Sequence, residues 1–278
     1  MVLIDNIEKL REVVFRIKSN GKSIGFVPTM GALHAGHLSL IQRAHSETQV
    51  VVVSIFVNPI QFNNQEDLSR YPRTLEQDIA LIQEYTDIIF TPSIQEMYPS
   101  EPTESYHFGE IENVMEGASR PGHFNGVGVV VKRLFDYVTP DKAFFGEKDF
   151  QQIAIIRELV KQENIDVTIV PCPIIREKNG LAMSSRNQRL TTEEREIASK
   201  VYHILNQSLT INSVSTKPII DFVTSEILKI NEIKIEYFQI VNDLTLQPID
   251  LLENELGAVG CIAFYVGNVR LIDNVRYR

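Results

Sequence analysis

At 278 residues and 31.7 kDa, with 44% hydrophobic and 23% charged side chains, the chain has room for one large domain or two modest ones. That composition excludes a disordered tail, a fibrous repeat and a disulfide-stapled miniprotein. The net charge of −9 lies mostly in the first 175 residues, with 15 Lys and Arg against 23 Asp and Glu, which argues against a duplex nucleic acid partner, since phosphate neutralisation needs a basic face.

The chain begins with Asp5, Glu8, Lys9, Arg11 and Glu12, which leave no apolar core for a secretory signal. Ile7, Leu10, Val13, Val14 and Ile17 are spaced for one face of a helix. Residues 23–28 predict a short strand, residues 38–45 a helix, and residues 49–57 a buried strand rich in β-branched side chains. The run Val50–Val57 is the longest nearly apolar stretch, at eight residues. A membrane span needs about 20, so no membrane partner is expected. Further on, residues 74–85, 125–137 and 150–162 read as helices, and residues 87–90, 143–145 and 167–170 as strands. Strands alternating with helices imply a parallel sheet covered on both faces.

Residues 171–190 hold Pro171, Pro173 and Gly180 and few periodic apolar positions, as a boundary with a functional loop would. The grammar then changes to two helices, 192–210 and 217–230, and three strands, 234–241, 257–266 and 269–272. The expected fold class is α/β: a Rossmann-like parallel-sheet domain over residues 1–175 and a smaller α+β lid domain over residues 176–278. A site between the domains is expected, at the carboxyl ends of the parallel strands. Two cysteines, Cys172 and Cys261, cannot build a disulfide framework. A reduced, cytoplasmic protein is the default.

The most informative segment is Pro28-Thr29-Met30-Gly31-Ala32-Leu33-His34-Ala35-Gly36-His37. A strand ends at Pro28, a glycine loop follows, and a helix opens near Gly36–His37. A helix N-terminus there offers unpaired N–H groups and a positive dipole end, which suit phosphate. Two histidines three residues apart add ring donors. They are expected to act first as neutral donors and to become more cationic as charge develops on a leaving pyrophosphate. An H-x-x-H pair is also half of a metal site, but no Cys or acidic residue stands at zinc-like spacing around it.

The H-x-G-H string after the first such strand resembles the nucleotidyl-transferring superfamily that includes class I aminoacyl-tRNA synthetases. The longer string PTMGALHAGH is similar to the pantothenate synthetase family. The resemblance continues through Asn58-Pro59-Ile60-Gln61-Phe62, Tyr71-Pro72-Arg73-Thr74, Arg120-Pro121-Gly122-His123-Phe124-Asn125-Gly126, Gly146-Glu147-Lys148-Asp149, Met183-Ser184-Ser185-Arg186-Asn187 and Arg270-Leu271-Ile272-Asp273-Asn274. It implies a ligase that joins pantoate to β-alanine with ATP as substrate and Mg2+, through a pantoyl adenylate, in a homodimer formed by the N-terminal domain. Departures are few: Ala35 stands where an acidic residue is common, and Ile175 where valine usually makes a backbone contact to adenine.

The resemblance assigns roles. His34, His37, Lys148 and Arg186 would be catalytic, with His37 in the position of the proton donor. ATP would be held by Met30, Gly31, Ala32, Leu33, His34, Ala35, Gly36, His37, Gly146, Glu147, Lys148, Asp149, Ile175, Met183, Ser184, Ser185 and Arg186. Gln61, Gln152 and Asn58 would bind pantoate, with Gln61 also near β-alanine; Met30, Phe62 and His123 would stand nearby. Asp78 is a candidate magnesium contact that the sequence cannot separate from a helix surface charge. The competing readings are a nucleotidyl transferase with a dinucleotide-type product, a tRNA-binding synthetase-like module and a nucleotide-binding protein without catalysis. The NPIQF and MSSRN strings, the acidic balance and the intact His34, His37, Lys148 and Arg186 weigh against them in turn.

Overall fold

The computed structural model describes all 278 residues. In chain order the helices are α1 (Ile7–Ser19), α2 (Ala35–Glu47), α3 (Gln65–Ser69), α4 (Leu75–Ile82), α5 (Ile94–Met97), α6 (Met115–Ser119), α7 (His123–Val138), α8 (Phe150–Gln162), α9 (Thr192–Ser208) and α10 (Lys217–Leu228). The strands are β1 (Val2–Ile4), β2 (Ile24–Thr29), β3 (Val50–Ile55), β4 (Ile88–Phe90), β5 (Lys142–Gly146), β6 (Thr168–Cys172), β7 (Ile233–Asn242), β8 (Ala258–Val266) and β9 (Val269–Arg276). No helix is long and apolar enough to cross a membrane.

Two compact units divide these elements. The first comprises Met1–Phe108, Arg120–Glu147 and Gln152–Pro173; the second comprises Gly109–Ser119, Lys148–Gln151 and Ile174–Arg278. Residues 109–119 and 148–151 therefore fold with the C-terminal part of the chain.

The first unit is built on a six-stranded sheet in the order β1-β4-β3-β2-β5-β6, parallel at every pair. This is the Rossmann-like arrangement that the alternating pattern implied. Its inner strands β2, β3 and β4 are buried on both faces, which explains why Val51, Val52 and Val53 run without a polar interruption. Phe26, Phe90, Phe135 and Phe144 fill the core, with Phe26 and Phe135 meeting edge to face at 6.2 Å. β1 was not foreseen. It is a three-residue edge strand with only Ile4 buried, too short to show a period.

The strand order places the functional loops. From β2 the chain moves outward to β3, and it later returns to β2's other side at β5, so the order reverses between β2 and β5. β2 pairs with β3 from Ile24 to Thr29 but with β5 only through Gly25 and Phe26. The carboxyl halves of β2 and β5 thus part, and a crevice at such a switch point is where open α/β sheets take ligands.

The second unit carries the antiparallel sheet β7-β8-β9. Leu205 of α9 and Val223 and Ile227 of α10 form one apolar cluster with Ile240, Ile262 and Phe264 of the sheet. Here β9 runs to Arg276, beyond the expected end at Ile272.

Candidate active site

The loop after β2 is held by its own backbone needs. Thr29 Oγ1 donates to the Ser54 carbonyl at 2.7 Å and accepts the Gly31 N–H at 3.3 Å, tying the ends of β2 and β3. Gly31 and Ala32 both lie in the left-handed region, with φ of 81° and 49°. That conformation turns two consecutive N–H groups toward α4. Asp78 receives them: Oδ2 accepts Ala32 N–H at 3.0 Å and Oδ1 accepts Leu33 N–H at 2.7 Å. Thr74 Oγ1 donates to the same carboxylate at 3.1 Å. Asp78 is 2% exposed. It is a buried clamp on the glycine loop and not a surface charge. No local pattern announces so distant a pairing.

α2 begins earlier than expected, at Ala35, because His34 is its N-cap. Gly36 donates its N–H to His34 Nδ1 at 3.1 Å, and His34 donates its own to His37 Nδ1 at 3.3 Å. The two rings lie against each other at a 42° tilt, 4.1 Å between centroids. Histidine is an unusual cap, so Ser/Thr/Asp/Asn cap signals miss this helix start. The chemical consequence is a fixed tautomer. A nitrogen that accepts a hydrogen bond cannot carry the proton, so both neutral rings are protonated at Nε2. Protonating Nδ1 would break the cap and set two cations against the positive end of the helix. The capping geometry therefore leaves Nε2 as the donor nitrogen of each neutral ring.

A second constellation follows β3. Asn58 is 1% exposed. Its Nδ2 donates to the Gly126 carbonyl at 3.1 Å and to Gln61 Oε1 at 3.0 Å, and its Oδ1 accepts Tyr98 OH at 2.8 Å. Both hydrogens are engaged and the oxygen holds the Tyr98 hydroxyl, so Asn58 supports Gln61 from behind. Gln61 Nε2 donates to Met30 Sδ at 3.1 Å. The amide and the H-x-G-H loop are thus in contact.

His123, 6% exposed, opens α7. Its Nδ1 lies 2.8 Å from the Gln61 carbonyl and its Nε2 lies 3.1 Å from Arg120 Nη1. A carbonyl only accepts and a guanidinium only donates, so this ring is the Nδ1–H tautomer, opposite to His34 and His37. It fixes the Gln61 backbone.

Gly146 and Glu147 sit at the carboxyl end of β5, across the switch point from Met30. On α8, Gln152 is half-buried. Its neighbour Gln151 is a structural residue of the second unit, donating to the carbonyls of Ile111 and Val114 and accepting Glu116 N–H.

The remaining expected residues lie in the second unit. Lys148 pairs with Asp149 at 3.2 Å, and Asn274 Nδ2 donates to the Lys148 carbonyl at 3.2 Å. Asp273 grips the Arg176 guanidinium with both oxygens, at 2.7 and 2.9 Å, and Arg176 lies 3.7 Å over the Tyr202 ring. Burial pushes the Asp273 carboxyl up, against the pull of Arg176. The Ile175 carbonyl accepts Met183 N–H at 2.9 Å, and Ser184 caps the single turn that carries Ser185 and Arg186. Asn187 staples this turn to the Ala182 carbonyl and to Glu177. So the tail Asp273–Asn274 holds both Arg176 and the Lys148 main chain, a role that sequence spacing does not reveal. No cluster of three or more His, Cys, Asp or Glu side chains could hold a metal ion.

A parallel sheet with a helix mouth of histidine and amide donors at its switch point defines a nucleotide-handling α/β enzyme of the H-x-G-H type. The sequence pattern of the Pantoate-beta-alanine ligase family matches residues 2–276, and the chain belongs to that family. A pantothenate synthetase of Porphyromonas gingivalis is 50% identical over 100% of this chain and 99% of the relative's length. That of Bacteroides fragilis is 49% identical with the same coverage. The crystal structure of the Thermus thermophilus pantothenate synthetase superposes with a TM-score of 0.93 at 40% identity, over 100% of this chain and 99% of the other. The Francisella tularensis pantoate-beta-alanine ligase, complexed with beta-gamma ATP and beta-alanine, gives a TM-score of 0.84 at 40% identity, over 100% and 98%.

Proposed function

We propose that the chain joins pantoate to β-alanine with ATP, releasing AMP and pyrophosphate through a pantoyl adenylate. The observation that carries the reading is the contact of Gln61 Nε2 with Met30 Sδ. It sets an amide donor for an acid against the loop whose helix mouth suits phosphate.

The chemical problem is a poor electrophile. A carboxylate does not exchange its oxygen for an amine at neutral pH, and transfer to the α-phosphorus of ATP makes that oxygen part of a leaving group. The carboxylate and the triphosphate are both anionic, so donors and cations must cover the phosphates. His34 and His37 would supply Nε2–H groups, at the positive end of the α2 dipole. Lys148, Ser184, Ser185 and Arg186 would add charge and hydroxyl donors to the polyphosphate. Gly146, Glu147, Asp149 and Ile175 would meet the nucleoside, and Gln61 and Gln152 the acid. Asn58 acts behind Gln61. In the second step the β-alanine amine attacks the acyl carbon and AMP leaves, with proximity supplying much of the rate.

Mg2+ would arrive as Mg-ATP, held by phosphate oxygens and water. That mode suits a chain without a three-ligand cluster and with Asp78 occupied by backbone donors. The family resemblance supports a cytoplasmic homodimer, and sedimentation equilibrium measures its mass directly.

The test is exchange of labelled pyrophosphate into ATP. It should require pantoate and Mg2+ but no β-alanine, and Lys148→Ala should suppress it strongly. Exchange that appears only with β-alanine present would replace the adenylate by a concerted route.

A further inference from the structure

We propose that Tyr98 is a positioning residue, whose hydroxyl, through Asn58, holds Gln61 with its Nε2 donor turned to the acid substrate. The proposal rests on the reading that Gln61 binds pantoate.

Amide groups have two nearly isosteric orientations, so an amide used for recognition must be told which way to face. Here the instruction starts from an atom with no choice. The Gly126 main-chain carbonyl can only accept, so the Asn58 group 3.1 Å from it is the NH2. That NH2 gives its second hydrogen to Gln61 at 3.0 Å, so the Gln61 atom facing Asn58 is Oε1 and the outer one is Nε2. Asn58 Oδ1 then points the other way and takes the Tyr98 hydroxyl at 2.8 Å. Every link is a donor facing an acceptor, and reversing Gln61 would set two NH2 groups against each other.

Tyr98 is built to remain a donor. It is buried, which pushes its phenol well above the ordinary value. Arg133 lies 4.9 Å above the ring, donates to the Met97 carbonyl and pairs with Glu104, so the ring is held from behind. At the far end, Nε2 touches a thioether, a weak acceptor that an oxyanion outcompetes. Without the hydroxyl, Asn58 Oδ1 is a buried acceptor with no partner. It cannot turn over, because that would aim Oδ1 at the Gly126 carbonyl. The Asn58 amide then loosens, and Gln61 loses the contact that orients it.

The experiment is steady-state kinetics of Tyr98→Phe, Gln61→Glu and the double variant, with pantoate and ATP varied in turn. Tyr98→Phe keeps the ring under Arg133 and should raise KM for pantoate about tenfold, the equivalent of one hydrogen bond. KM for ATP should stay close to wild type, and the melting temperature should fall by only a few degrees, the loss of one buried pairing. Gln61→Glu should lower kcat/KM for pantoate further, and adding Tyr98→Phe to it should cost nothing more, because the hydroxyl acts only through the Gln61 amide. Additive losses, or a KM for ATP that rises in step, would assign Tyr98 to general packing and overturn the proposal. A wild-type KM for pantoate in Tyr98→Phe beside an impaired Gln61→Glu would overturn the relay alone. A wild-type Gln61→Glu would overturn the reading of Gln61 itself. Should Tyr98→Phe fail to fold, Asn58→Ser interrupts the same chain one link on, and the same split is expected of it.

Discussion

On the proposed function His34 would serve two ends with one ring: Nδ1 closes the start of α2, and Nε2 would be the donor for chemistry. The two roles can be separated, because asparagine is a good N-cap but does not reach as far as an imidazole Nε2. His34→Ala should cost about 1 kcal/mol of stability through the lost cap. His34→Asn should restore the melting temperature while activity stays down about 100-fold, the scale of one electrostatic donor. Thermal melting and turnover of the two variants side by side check this; recovery of activity in His34→Asn would make the histidine a cap alone. Asp78 is the second residue of consequence. An asparagine there keeps one acceptor and turns an NH2 toward an N–H donor, so Asp78→Asn should destabilise by about 1–3 kcal/mol. The readout is the urea midpoint, and an unchanged midpoint would mean that the glycine loop holds itself.

Between elements, α7 lies close against the turn carrying Gln61. A Cβ on Gly126 would stand 2.5 Å from the Ile60 carbonyl oxygen and 2.9 Å from Gln61 Cα. Both are backbone, which cannot rotate away. Gly126→Ala should therefore push the turn off the helix at a cost of about 1–3 kcal/mol, and raise KM for pantoate by displacing Gln61. A variant with wild-type melting and wild-type KM would show that the turn yields freely. The long elements of this fold were legible in the sequence. β3 declared itself as an uninterrupted β-branched run, and α1 as a spaced apolar face. The loops of the site were legible as motifs, since their glycines and histidines stand in recognisable strings. What stayed hidden was how those loops are held. Asp78 looked like a helix surface charge because its partners are N–H groups of Ala32 and Leu33, and a backbone donor leaves no mark in a sequence. The supporting bonds of Asn58 and His123 stayed hidden for the same reason: each spends a polar atom on the main chain of Gly126 or Gln61.

On the scale of the molecule, a chain of charge −9 gathers its carboxylates into local pairings that depend on pH. Asp141 is the clearest in the first unit. It begins the approach to β5, takes the Lys18 ammonium of α1 at 2.7 Å and accepts the Ile24 N–H of β2 at 2.6 Å. Burial alone would raise its carboxyl, but the lysine and the N–H outweigh it and hold the pKa below the ordinary value. A carboxyl lowered in the folded state contributes fully above its unfolded value, near about pH 4, and loses that contribution as pH falls through the folded value. Asp141→Asn removes the charge at every pH. The stability gap between wild type and variant should thus be constant above about pH 5 and close steadily below about pH 4, because the wild-type carboxyl is then itself neutral. Urea denaturation in steps from neutral pH to the acid limit reads the gap directly. A gap already absent at neutral pH would show that Lys18 and Ile24 are satisfied as well by a neutral amide, and that the acid sensitivity of the sheet is seated elsewhere.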